Sequence, residues 1–143
     1  MSVELPFAPV DDVIRREAGS LRVGADATEE LARWIQDRGA ALAVDAAERA
    51  TAEDRKTIMA ADFGVDDGHD PGEASLPIAP VDRIARLDID DRYRVGEDAR
   101  VALAVLLEDA AADVAAGAAM LARHAGRRTV QAEDVRTYLD LVG

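Results

Sequence analysis

Side chains able to break or transfer bonds are scarce in this sequence. Its 143 residues include no cysteine and only two histidines, His69 and His124, which excludes thiolate nucleophiles, disulfides and thiolate metal sites. No Gly-rich stretch leads into a Lys that could cradle a nucleotide phosphate, and neither histidine has a paired nucleophile. The residues therefore offer no basis for an enzyme. Two carboxylate clusters invite a metal reading, Asp66, Asp67, His69 and Asp70 on one side and Asp88, Asp90 and Asp91 on the other. Neither has the order or spacing of a calcium loop, so both read as solvated segments, and neither a metal nor a cofactor is expected. What recurs is cationic: Arg55-Lys56-Thr57 returns as Arg127-Arg128-Thr129, and Arg22-Val23 returns as Arg94-Val95, each 72 residues later.

The composition limits which elements can carry these groups. Hydrophobic residues make up 49% of the chain but aromatic residues only 3%, so the core must be built from Ala, Val, Leu and Ile. That suits closely packed helices better than stacked sheets, and an all-α fold is expected. The net charge is −12; 19 of the 29 acids are Asp, and Lys56 is the single lysine. An excess of short hydrated carboxylates with Arg in place of Lys resembles a surface kept soluble in molar salt. The N-terminus lacks a charged-then-apolar signal pattern. The uncharged runs Val101 to Leu107 and Val114 to Ala122 are too short to span a bilayer. A soluble, intracellular protein with no membrane contact and no small-molecule substrate is expected.

The chain duplicates itself. Leu5-Pro6-Phe7-Ala8-Pro9-Val10-Asp11 returns as Leu76-Pro77-Ile78-Ala79-Pro80-Val81-Asp82 at an offset of 71. After one inserted residue the offset becomes 72 and still holds at Asp62 against Asp134. Chance similarity does not keep register over that length. Residues 1–63 and 76–143 are the two units, and the polar, Gly- and Asp-rich stretch 64–75 is the linker. Each unit predicts a short helix opened by Pro9 or Pro80, a break, and a long helix. Asp26 with Glu29 resembles a capping box for the first long helix, and Asp98 is the matching cap in the second. Leu31, Ile35 and Leu42, and Leu103, Leu107, Val114 and Leu121, recur at helical spacing. Each long helix should run about 26 residues, roughly 39 Å. Trp34, whose counterpart is Leu106, belongs to the core. A third helix is expected from Thr57 and from Thr129, capped by their hydroxyls. In the second unit it extends through Val135, Leu139 and Val142. In the first, Phe63-Gly64 and the following Asp-rich stretch should stop it within two turns.

Several of these motifs together resemble the archaeal histones. Leu76-Pro-Ile-Ala-Pro80, Glu97-Asp-Ala-Arg100, Leu121-Ala-Arg-His-Ala-Gly-Arg-Arg-Thr129 and Ala132-Glu-Asp134 carry the resemblance through nearly all of the second unit. The first unit is looser, keeping Leu5-Pro-Phe-Ala-Pro9, Arg22-Val23 and Arg55-Lys-Thr-Ile-Met-Ala-Ala-Asp62. The resemblance is to a tandem histone-fold doublet of the haloarchaeal type, and it implies a head-to-tail handshake of the two units within one chain. One DNA-facing corner would then combine Arg22 with Arg127, Arg128 and Thr129, and the other Arg94 with Arg55, Lys56 and Thr57. Arg22 and Arg94 match the family's minor-groove arginine. Arg83 and Arg86 would form a third contact where the first helices meet. Such corners direct guanidinium groups, helix-start N–H groups and a hydroxyl at phosphate oxygens of double-stranded DNA, with little base reading.

The resemblance also implies structural ion pairs, Arg127 with Asp134 and Arg55 with Asp62, holding the second loop of each unit against its third helix. Leu121, His124 and Asp134 resemble the contact that joins one histone dimer to the next. Arg49 and Ala52 replace Leu121 and His124 in the first unit, so self-association is expected through the C-terminal end alone. Asp12 stands where the second unit has Arg83, which puts a negative charge at the central contact. Residues 1–75 hold eight basic and 17 acidic side chains, a net −9; residues 76–143 hold nine and 12, a net −3. The second unit is thus the better DNA partner. The leading expectation is a chromatin- or nucleoid-associated architectural DNA-binding protein. The alternative is a histone-fold transcriptional regulator acting mainly through protein contacts, with weak or no DNA wrapping.

Overall fold

A computed structural model describes residues 2–65 and 73–143. The chain runs through α1 (Phe7–Ala18), β1 (Arg22–Val23), α2 (Ala25–Ala52), β2 (Thr57–Ile58) and a 3-10 turn (Ala60–Phe63). It continues with α3 (Ile78–Ala85), β3 (Arg94–Val95), α4 (Glu97–His124), β4 (Thr129–Val130) and α5 (Ala132–Val142). The repeat is thus a structural repeat of short, long and short helical elements. The linker cluster Asp66, Asp67, His69 and Asp70 lies outside the described residues.

The two units clasp each other. α1 of the first packs on α4 of the second, while α3 and α5 of the second pack on α2 of the first. Neither long helix could bury its apolar stripe alone; each does so against the other and against the other unit's short helices. The result is two histone folds paired within one chain. Leu31, Ile35, Leu103 and Leu107 from the long helices, Val13 and Ile14 from α1, and Val81 and Ile84 from α3 are almost fully buried. Trp34 is only partly buried, packed against the margin of this core together with Leu106. Where the helices approach most closely, small residues make room. A Cβ on Gly39 would lie 2.7 Å from Ile84 Cγ2 and 3.0 Å from a Leu107 methyl, and its counterpart in the second unit is the fully buried Ala111.

Several local expectations are corrected. Both long helices span 28 residues, slightly longer than expected. Pro9 and Pro80 occupy the third helical position, with Pro6 and Pro77 at the N-caps; the first-turn N–H that a proline lacks has no intrahelical acceptor there either. Thr57 and Thr129 do not cap helices. Each begins a two-residue strand, because loop backbone from the opposite unit arrives to pair with it. The third elements start after Met59 and Gln131, whose N–H groups donate to Asp62 Oδ2 and Asp134 Oδ2, both at 2.8 Å. In the first unit this element is a single turn, stopped by Gly64 in the left-handed conformation with φ 75°.

Asp26 and Asp98 lie in the first turns of the long helices, but no Asp26–Glu29 box forms. Asp26 Oδ2 instead accepts the N–H of Ala132 at the start of α5, at 3.2 Å, and Asp98 Oδ2 accepts that of Ala60 at 3.1 Å. Each long helix therefore caps the last helical element of the other unit.

Candidate nucleic-acid interface

Each end of the molecule carries a parallel two-residue bridge between units. β1 pairs with β4 in the register Arg22 to Thr129, held by N–H donation from Arg22 to the Arg128 carbonyl at 2.8 Å and from Gly24 to the Val130 carbonyl at 2.9 Å. β2 pairs with β3 in the register Thr57 to Arg94, with the same two bonds from Arg94 to Lys56 and from Gly96 to Ile58. The hydrophobic partners Val130, Ile58 and Val95 turn into the core, and period-two alternation then sends Arg22, Arg94 and Thr57 outward. Arg22, Arg127, Arg128 and Thr129 are thus gathered at one corner, and Arg94, Arg55, Lys56 and Thr57 at the other.

Within each corner the cations divide into anchored and free. Arg127 donates to both oxygens of Asp134, at 2.7 and 2.5 Å, and Arg55 to both oxygens of Asp62, at 2.9 Å each. The two carboxylates are almost entirely buried, and a fork-to-fork pair of this kind fixes a loop rigidly. Hydrogen bonding from Arg55, outweighing the opposite push of burial, holds the Asp62 carboxyl below its ordinary range, helped by the Met59 N–H. Arg22, Lys56, Arg94 and Arg128 are exposed. Among the described residues no carboxylate lies within ion-pair distance of them, in contrast with Arg15, Arg16, Arg83, Arg86, Arg100 and Arg136, which are all paired.

The central position differs. Arg83 Nε lies 3.1 Å from Glu4, and Asp82 is shared by Arg86 and Arg100, both at 3.1 Å. Glu4 and Asp82 thus already compensate the cations of the expected central contact. At the C-terminal end, His124 is exposed on the last turn of α4 and Leu121 is partly buried, whereas Asp134 faces inward to Arg127. A groove of about 470 Å³ adjoins them, lined by Gly117, Met120, Leu121, Tyr138, Leu141 and Val142. Met120, Leu141 and Val142 are 68%, 70% and 62% exposed, the most exposed large hydrophobics among the described residues. The groove owes its depth to Gly117, since a Cβ there would lie 2.1 Å from the Tyr138 ring.

Two contacts were not anticipated from the sequence. Arg49, which replaces Leu121 in the repeat, donates to the Asp62 carbonyl at 2.6 Å and so fills the first unit's equivalent end with an internal contact. In the loop before β3, the Tyr93 phenol hydrogen-bonds Thr51 of the other unit and accepts from Arg92. The sequence signal available for this was the inserted residue in that loop.

Two clasped units of short, long and short elements, with loops from opposite units bridged at each end, define a histone-fold pair. The family model for histone-like transcription factor (CBF/NF-Y) and archaeal histone matches residues 3–64 and again 74–139, and the chain belongs to that family. It is similar to the archaeal histone HAN1 of Thermococcus zilligii, 56% identical over 63 residues that make up 44% of this chain and 91% of that protein. It is also similar to the solved histone from Methanopyrus kandleri, with a TM-score of 0.71 and 25% identity over 94% of this chain and 92% of that one. Among the described residues no helix is long and apolar enough to cross a membrane.

Proposed function

We propose that this histone-fold chain is a non-enzymatic, nucleoid-associated architectural protein that grips double-stranded DNA at its two corners, a doublet of the haloarchaeal type. The observation that carries the reading is the segregation of charge. In a chain of net charge −12, Arg22 and Arg128 at one corner and Arg94 and Lys56 at the other stay exposed without carboxylate partners, while helix arginines such as Arg15, Arg83 and Arg136 are neutralised. Cations left free at the tips of rigid loops are available to displace counterions from phosphate. Arg22 and Arg94 are proposed to enter the minor groove, with Thr57 and Thr129 donating to the adjacent phosphates. Arg127 and Arg55 act mainly by holding these loops. Contacts of this type follow groove width and bendability more than base identity.

The central contact through Arg83 and Arg86 is proposed to be weak, because Glu4 and Asp82 already compensate both. In molar salt the Debye length falls to about 3 Å, and affinity built on counterion release declines steeply. A regulatory role through protein contacts is the second reading, favoured by the apolar groove at Met120, Tyr138 and Leu141. Association of two chains through that groove and its neighbours Leu121 and His124 is part of the proposal.

Fluorescence titration of duplex DNA across KCl concentrations tests the main reading. Binding should weaken with salt and be largely abolished in the double variant Arg22→Glu, Arg94→Glu. Undiminished binding by that variant would reject the corners.

A further inference from the structure

The two corners are not equivalent, and the difference forms a pocket at only one of them. In the first unit three residues separate α1 from β1; in the second, eight separate α3 from β3. The longer loop, one inserted residue and four by which α3 is shorter than α1, folds into an Asx turn in which Asp90 Oδ1 accepts the Arg92 N–H at 2.9 Å and the Asp90 carbonyl accepts the Tyr93 N–H at 3.1 Å. This turn sets the Arg92 guanidinium 5.1 Å from the centre of the Tyr93 ring, with Nη2 3.4 Å from the phenol oxygen. The phenol also hydrogen-bonds the hydroxyl of Thr51, on the last turn of α2 in the other unit. Tyr93 is only 8% exposed, so a long arginine is held over a fixed aromatic platform and loses less rotamer freedom on meeting a ligand.

These groups line a depression of about 200 Å³ with Asp54, Arg55 and Lys56. Two unpaired cations, Arg92 and Lys56, and two hydroxyls line it with the carboxylate of Asp54; Arg55 is paired with Asp62, and the Asp90 carboxylate acts on Arg92 and Tyr93 from the turn behind them. At the other corner the counterparts of Arg92 and Tyr93 are Ser20 and Leu21. The counterpart of Thr51 is Arg123, and its guanidinium is spent on the Ala18 carbonyl at the end of α1, at 2.7 Å. Among the described residues this set of groups therefore occurs at one corner.

We infer that Arg92, Lys56, Thr51 and Tyr93 form an oxyanion pocket that takes one additional phosphate beyond the strand bridge. In the DNA complex its occupant is a backbone phosphate, which makes the second corner the tighter of the two and gives the molecule a polarity on the duplex. The inference rests on the DNA reading for its occupant but not for its anion chemistry. Arg55 is bound to Asp62 and contributes field; Arg92 and Lys56 supply the free donors. Asp54 narrows the site on one side and disfavours a second anion.

The test uses the full chain. Arg92→Ala should lower duplex affinity about tenfold at low salt, and the slope of log K against log KCl should fall by about 0.9, the loss of one phosphate contact. Tyr93→Phe with Thr51→Val should weaken binding in the same direction, while Ser20→Ala at the opposite corner should change nothing. If Arg92→Ala leaves affinity and slope intact while Arg22→Glu, Arg94→Glu abolishes binding, the pocket is refuted and the DNA reading stands. If the unaltered chain binds no DNA at any salt, titration with inorganic phosphate decides. A rise in the pH of phenol ionisation, read by ultraviolet absorbance and absent in Tyr93→Phe, supports a free-anion pocket, and no response overturns it.

Discussion

Asp26 and Ala132 are 106 residues apart, yet the carboxylate of one accepts the first N–H of the helix that the other begins, at 3.2 Å. Asp98 repeats the relationship with Ala60 at 3.1 Å. A helix start leaves its first N–H groups without intrahelical acceptors, and here the acceptor comes from the other unit. The long helices thereby tie each unit's final element to its partner at the same corners where the basic loops meet.

Asp26→Ala should lower global stability by about 1 kcal/mol, the usual cost of losing an N-cap acceptor. Hydrogen exchange should locate the loss at the Ala132 amide in the other unit. Faster exchange confined to the first turn of α2, with Ala132 still protected, would count against capping between units.

Gly39→Ala bears on the packing between units. The added methyl has backbone-fixed geometry and would press on Ile84 and Leu107, both fully buried. Overpacking of that kind costs roughly 1–3 kcal/mol, and with a contact as short as 2.7 Å the cost should exceed the approximately 1 kcal/mol that replacing Gly by Ala ordinarily contributes to a helix interior. Urea denaturation should therefore show a net loss. A gain in midpoint would mean that the interior relaxes more freely than this packing allows.

Glu108 links stability to pH. Burial pushes its carboxyl upward, but the Ser75 hydroxyl, the N–H groups of Leu76 and Ser75 and the charge of Arg16 together outweigh this and set it below its ordinary value of 4.5. A carboxyl depressed in the folded state contributes stability above that ordinary value and loses it as pH falls through the folded value. Its counterpart in the repeat, Gln36, tethers the other N-terminal segment through Glu4 N–H and the Ser2 carbonyl without titrating. Glu108→Gln should be less stable than the unaltered protein near neutrality, with the gap closing in acid. A gap constant from pH 6 to pH 3 would show that the tether is not linked to ionisation in this way.

The helical succession was legible because apolar spacing and the register of the repeat both record which face of each helix is buried. Phe63-Gly64 also signalled the short final element of the first unit, since a left-handed glycine ends a helix locally. What failed were readings that followed the chain alone. Thr57 and Thr129 have good capping side chains, but their backbones pair with a strand from the opposite unit. Asp26 and Asp98 stand at helix starts, but their carboxylates turn to helices far along the sequence. Arg92 showed no pattern of its own, because its platform, Tyr93 with Thr51, is assembled from both units. Local propensity cannot register an acceptor that arrives only on folding.

The C-terminal groove yields a prediction that separates self-association from DNA binding. Met120, Leu141 and Val142 are exposed around Tyr138 at one end of the molecule, whereas the matching end of the first unit carries Glu48 and Arg49 in place of Met120 and Leu121. A chain with one apolar end can pair but cannot polymerise through that end. Apolar burial is not screened by ions, so pairing should persist in molar KCl, where phosphate contacts weaken. Sedimentation should show pairs of chains for the unaltered protein and single chains for Met120→Glu with Leu141→Glu. Low-salt DNA affinity per chain should be little changed in that variant, because both substituted positions lie outside the strand bridges. Sedimentation as single chains by the unaltered protein at the highest attainable concentration would remove the groove from the interface, and larger oligomers would require a second associating surface.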